Sequence, residues 1–346
     1  MRRMSATGAP ALLDIAGANL LSIPVLAFAL GVLAARLRSD LRLPTGAYEA
    51  ISMVLLFAIG LKGGVRLRET EISDIALPIV VTLVLGIVLP LAAFAVLRLL
   101  TNLGRIDRGA IAAHYGSTSL VTFTAALVVL EDSGIAAEGF MTALLTIMEI
   151  PGIVVGLLLA TAQPPKGAAT DLTPGHVQGQ PWLRGLLEVL TSRSVMLLIG
   201  GLAIGAIAGP VAYSRVEPLF GGLFQGLLAL FLLHLGTVVG RSVAQVRQAG
   251  WGLAIFAIAF PLLAGLVGVS AGIAIGLSIG GATLLGVLSA SASYIAAPAA
   301  VRIALPAAHE AIALTSSLAM TFPFNLTIGI PVYLAAAEFL SVLIGA

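Results

Sequence analysis

Long apolar runs, each about as long as a bilayer is thick, alternate with short polar joints along almost the whole chain. A helix that crosses a membrane needs ~20 mainly apolar residues. That pattern predicts ten crossing helices, at 11–35, 45–61, 74–99, 109–130, 139–162, 191–210, 217–240, 249–273, 278–301 and 311–345. The last run exceeds what a bilayer requires, so it tilts, kinks or ends in a lip. The first follows a basic start, as the apolar core of a signal peptide would. Its length suits a retained span better than a cleaved leader.

Residues 163–184, QPPKGAATDLTPGHVQGQPWLR, form the long polar connector. Its proline, glycine and threonine content reads as a flexible linker. It divides the chain into a first five-helix unit, 1–162, and a second, 185–346. The two units share residues at an offset of 172. Gly64 corresponds to Gly236, Gly109-Ala110 to Gly281-Ala282, and Ser117 and Ser119 to Ser289 and Ser291. Met148 and Pro151 correspond likewise to Met320 and Pro323. An odd number of spans per unit makes the second enter from the opposite side. The predicted fold is therefore all-α and membrane-integral, with two inverted five-helix repeats.

Composition supports the membrane class. Hydrophobic residues make up 59% of the chain and charged ones 10%, against ~25% charged in soluble domains. The mean hydropathy is +1.09. With ten spans, twelve of the 18 basic residues collect on one side, Arg36, Arg98, Arg105, Arg108, Arg184 and Arg302 among them. The positive-inside rule places that side, and the linker, in the cytoplasm and both termini outside. The net charge of +2 is scattered, which offers no nucleic-acid surface. Cysteine is absent, which excludes disulfides and thiolate chemistry. No phosphate loop or HExxH motif is present, so nothing points to ATP or a zinc hydrolase. HYGSTS is not GxSxG, so that stretch gives no support to a serine hydrolase.

Two polar stretches interrupt the apolar pattern: AHYGSTSLVTF at 113–123 and LSASASYIAAP at 288–298. Gly116 permits unusual backbone angles, and Ser117, Thr118 and Ser119 offer hydroxyls to backbone groups freed by a break. Ser289, Ser291, Ser293 and Tyr294 do the same in the second stretch, where Pro298 is expected to kink the helix. Two broken helices would present N-termini to an anion and carbonyls to a cation near the midplane. Small residues also serve plain helix packing. The recurrence of both clusters at one offset favours a site.

Glu149 lies near the middle of span five. A lone ionised group there is expensive and belongs to the bundle interior. It is either a cation or proton site or a structural acid. Thr321, Asn325 and Thr327 surround Pro323 in the last span and either ligate an ion or bridge helices. Lys62, Arg66 and Arg68 end span two. They either draw an anion to an outer vestibule or anchor at the interface by snorkelling. His114 reads as a hydrogen-bonded structural histidine, and His234 either titrates or packs. Gly200, Gly201, Gly205 and Gly209 make a close-packing face on span six.

The segments LLFAIGLKGGVRL, HYGSTSLVTFTAALVVLEDSGI, LLTIMEIPGIVVG, SASASYIAAPAAVRIALP and MTFPFNLTIGIPVY together resemble the sodium-dependent bicarbonate permease family, which includes the cyanobacterial high-affinity bicarbonate transporter. The resemblance spans nearly the whole chain. It implies ten spans in inverted halves and two broken helices, here those holding Ser117–Ser119 and Ser289–Ser293. It also implies sodium-coupled anion uptake by an elevator-like motion, a trimer, and a PII-like cytoplasmic regulator. The cyanobacterial pattern has an acid followed by Ser-Gly-Pro-Pro where this chain reads Tyr294-Ile295-Ala296-Ala297-Pro298-Ala299. That carboxylate is missing, and Glu149 is the candidate replacement.

The expected function is secondary symport of a small anion, foremost bicarbonate, with sodium, across the cytoplasmic (inner) membrane. The expected binding residues are Gly116, Ser117, Thr118, Ser119, Glu149, Ser289, Ser291, Ser293, Tyr294, Thr321 and Asn325. Ser119, Glu149, Ser293 and Asn325 are the candidate sodium ligands. No cofactor beyond the coupling ion and no catalytic residue is expected. A carrier coupled to protons or to exchange through Glu149 is the alternative. A membrane enzyme and a non-transporting sensor are lesser ones.

Overall fold

The computed structural model describes residues 20–41, 43–68, 70–161, 187, 190–191, 193–248 and 250–344. The start of the first predicted span and the 163–184 linker lie outside them. The helices are α1 (Ile23–Arg36), α2 (Thr45–Leu67), α3 (Ile72–Leu100), α4 (Arg105–Gly116), α5 (Leu120–Asp132) and α6 (Met141–Thr161). After the linker come α7 (Arg193–Tyr213), α8 (Phe224–Gln248), α9 (Trp251–Ala274), α10 (Ile279–Ala290) and α11 (Ala296–Ala304). The last, α12, runs Glu310–Ile344. Among the described residues there is no strand.

Among the described residues, eight helical segments are long and apolar enough to cross a membrane, the α4–α5 pair counting as one segment, and α1 and α10 are shorter apolar helices. The protein is thus a multi-pass membrane protein. The 35 residues of α12 contain wide π-type turns at Thr315–Thr321 and Asn325–Gly329. Those turns lie around Pro323 and Pro331, which cannot donate to the helix ladder. Helix α2 runs six residues beyond its expected end at 61, because its last turns carry charge at Lys62 and Arg66 and remain helical past the apolar run.

The helices pack in two groups. One consists of α1 against α8 and α2 against α7; the other gathers α3, α4, α6, α9, α10 and α12. Glycines set the spacing in the first group. A methyl on Gly201 would fall 2.9 Å from Gly60 Cα, and one on Gly60 would fall 2.7 Å from the Leu198 carbonyl. Gly209 has φ +72° and interrupts α7 beside Pro210, which leaves carbonyls without helical donors. Arg68 caps them, its Nη1 donating to the Ile207 carbonyl (3.1 Å). The His234 ring lies tilted against Tyr48, ring centroids 4.4 Å apart.

Candidate functional site

Both polar stretches are breaks. Helix α4 stops at Gly116, Ser117 is extended (φ −94°, ψ 167°), and α5 restarts at Leu120 behind Ser119. Helix α10 stops at Ala290, the chain runs extended from Ser291, and α11 begins at Ala296. The second break precedes Pro298 rather than occurring at it. Pro298 sits in the first turn of α11, where its missing N–H is one that no helical carbonyl would have received.

The breaks are hydrogen-bonded to each other. Ser119 N–H donates to Ser291 Oγ (2.9 Å), a pair separated by 172 residues. Ser293 N–H donates to the His114 carbonyl at the end of α4 (2.8 Å). A serine hydroxyl accepts from the first turn of each restarting helix. Thr122 N–H donates to Ser119 Oγ (3.3 Å), and Ala297 N–H donates to Ser293 Oγ (3.2 Å). Such a hydroxyl satisfies one of the donors left orphaned in a helix's first turn. The remaining donors keep the positive end of the helix dipole at this point.

Between the breaks lies a narrow cleft of about 10 Å³, lined by Thr118, Ser119, Leu120, Leu145, Glu149, Leu198, Ser293, Tyr294 and Ile295. Glu149 is the charged residue in that lining. It is 6% exposed and makes no hydrogen bond or ion pair with another described residue. The Tyr294 hydroxyl is buried beside Ser119 without closing a hydrogen bond. Of the eleven expected binding residues, Thr118, Ser119, Glu149, Ser293 and Tyr294 meet around this space.

The others stand behind it. Ser291 ties the breaks together. The Ser117 hydroxyl is buried without a partner. Ser289 Oγ donates back to the Leu285 carbonyl (2.8 Å) and packs against Gly268. Gly116 is sandwiched by the Pro90 ring and Gly152, leaving no room for a side chain. Thr321 donates to the Ala257 carbonyl (2.7 Å), which Pro261, four residues later, cannot serve. Tyr115 donates in turn to Thr321 Oγ1 (2.7 Å). Asn325 Nδ2 donates to the Ala290 carbonyl (2.8 Å), the last of α10. Tyr333 holds Asn325 Oδ1 (3.1 Å) and approaches the Pro261 carbonyl (3.2 Å).

Sequence reasoning missed Tyr115, Tyr333 and Leu198. The proline at 261 announces a freed carbonyl at 257, but only packing reveals which hydroxyl answers it. Tyr333→Phe leaves the buried Asn325 oxygen without its donor. It is expected to cost ~1–3 kcal/mol, read as a shift in unfolding in mixed detergent.

Charged residues gather at the two ends of the bundle. Lys62 pairs with Glu131 and Gln225 Nε2 donates to Asp132 (3.2 Å) at one end. Arg302 pairs with Glu310 (2.6 Å) and His309 with Asp107 (3.1 Å) at the other. Residues 24–338 match the sequence profile of the Na+-dependent bicarbonate transporter superfamily. The chain belongs to that superfamily. No curated protein matches the chain significantly. For this Na+-dependent bicarbonate transporter superfamily member, the breaks and their cavity are the candidate transport site.

Proposed function

We propose that the protein is a secondary transporter that carries a small anion, bicarbonate first among the candidates, together with sodium. The observation that carries this is the cavity between the breaks, where two helix N-termini meet a buried carboxylate. Helix N-termini favour an anion. Thr118, Ser119, Ser293, Tyr294 and Glu149 offer oxygens, the ligand type that hard cations take.

Charge orders the events. An anion ~5 Å from the Glu149 carboxylate is repelled by ~3 kcal/mol at an effective dielectric of ~20. A sodium ion on Glu149 removes that repulsion, so each ion raises the affinity of the other by the same factor. The cavity wall contributed by α7, Leu198, belongs to the first packing group, whereas the other lining residues belong to the breaks and α6. Movement of the second group past the first would carry the loaded cavity across, an elevator-like step.

Ten crossings in two inverted halves fit the offset. Equivalent residues of a two-fold repeat touch only near its axis, and Ser119 and Ser291 touch. A proton on Glu149 would neutralise the cavity equally well, and sodium dependence separates the two couplings.

The direct test is thermal unfolding of the purified protein. Bicarbonate with sodium is expected to raise the midpoint more than the two added separately, since a ligand at 100 times its Kd contributes ~2.7 kcal/mol. Ser119→Ala with Ser293→Ala is expected to lose that synergy. An unchanged midpoint at saturating concentrations of both ions would sink the proposal.

A further inference from the structure

We propose that the recess around Lys62 is a second anion subsite, which receives the anion before it reaches the Ser119–Ser293 cavity; the direction of passage rests on the transport reading above. The recess has a volume of about 190 Å³, and its walls include Ile59, Lys62 and Arg66 of α2, Phe123 and Glu131 of α5, and Glu138. It lies a helical turn from the cavity along two elements. Phe123 follows Ser119 and Leu120 on α5, and Thr142 precedes Leu145 on α6.

Two cations and two acids face this space, but they are not equally engaged. Glu138 accepts from Ser278 N–H (2.6 Å) and from its hydroxyl (3.0 Å) at the start of α10. Glu131 holds Lys62, with side chains 41% and 42% exposed. Arg66 lines the same recess and forms no ion pair among the described residues. An exposed ion pair is worth at most ~1 kcal/mol. An incoming anion therefore exchanges for Glu131 on Lys62 at little cost, while the unpaired guanidinium of Arg66 adds attraction. Phe123 and Ile59 lower the local dielectric and strengthen both contacts. Glu131 neutralises Lys62 and links α2 to α5.

The chain has no cysteine, so Gln225→Cys, in the lining, places one reporter thiol in the recess and leaves the Lys62–Glu131 pair intact. Gly222→Cys, also in the lining, where an added Cβ would meet nothing within 4 Å, is the second reporter should the first disturb folding. The probes are an anionic and a cationic methanethiosulfonate of similar size, applied to detergent-purified protein. The anionic reagent is expected to react about tenfold faster than the cationic one, as focusing by Lys62 and Arg66 requires. Bicarbonate is expected to slow it about threefold more than chloride at equal ionic strength, corresponding to about two-thirds occupancy. Adding Lys62→Gln and Arg66→Gln is expected to remove both effects.

Equal protection by bicarbonate and chloride, or no preference for the anionic reagent, overturns the subsite. Because the readout needs no flux, the two readings separate. Protection without uptake in liposomes supports the subsite and removes transport. Uptake without protection removes the subsite alone.

Discussion

Glu149→Gln is expected to abolish sodium-dependent anion uptake while the protein remains folded. The side chain is isosteric and loses no hydrogen bond or ion pair to a described residue. Its buried position makes the charge costly to fold, so removing it leaves stability unchanged or raises it. The N-termini of α5 and α11 are untouched. The anion therefore binds without sodium, and its sodium-free affinity rises on the order of a hundredfold, the equivalent of ~3 kcal/mol of relieved repulsion. Concentrative uptake falls to background because sodium no longer contributes to binding. Isothermal titration with bicarbonate, with and without sodium, reads the first effect and liposome uptake the second. Sodium-dependent uptake at the native rate in this variant would show that Glu149 is not the coupling group.

Gly152→Ala is expected to disrupt the first break outright. The added methyl would overlap the Gly116 carbonyl and lie 2.7 Å from Ser117 N. Both obstacles are backbone, so no side chain can turn aside. Overpacking a close-packed interior costs ~1–3 kcal/mol, and here relief requires moving the segment that shapes the cavity. The expected result is a lower unfolding midpoint together with loss of anion binding. Gly200→Ala, where a methyl would meet nothing within 4 Å, is the control and is expected to change stability by less than ~0.5 kcal/mol.

The membrane helices were legible because hydrocarbon permits few alternatives. Uninterrupted apolar length and full backbone pairing leave a helix as the available solution for each run. The first break was legible for the complementary reason: Gly116 and three consecutive hydroxyl residues have no purpose in a lipid-facing helix. The second was located less well. Pro298 drew attention, but a proline in a first helical turn is unstrained, and the chain breaks at Ser291–Ile295 instead.

The site was harder to read residue by residue. Ser289 and Ser293 are alike in sequence, yet Ser289 bonds to its own helix while Ser293 accepts from the first turn of α11 at the cavity. Thr321 and Asn325, expected as ligands, also hold carbonyls that Pro261 and the end of α10 leave open. Whether a side chain faces a ligand or a freed carbonyl depends, for Thr321 and Asn325, on neighbours tens of residues away. Local pattern carries no record of them.

The most direct measurement is the initial rate of labelled bicarbonate uptake into liposomes containing the purified protein, with and without an inward sodium gradient. The same measurement is made on the Ser119→Ala, Ser293→Ala double variant. Uptake that requires the gradient, and that the double variant loses while remaining folded, is the expected result. Sodium-driven uptake at equal rates in both proteins, or none in the native one, would contradict the claim that the two joined breaks carry the anion.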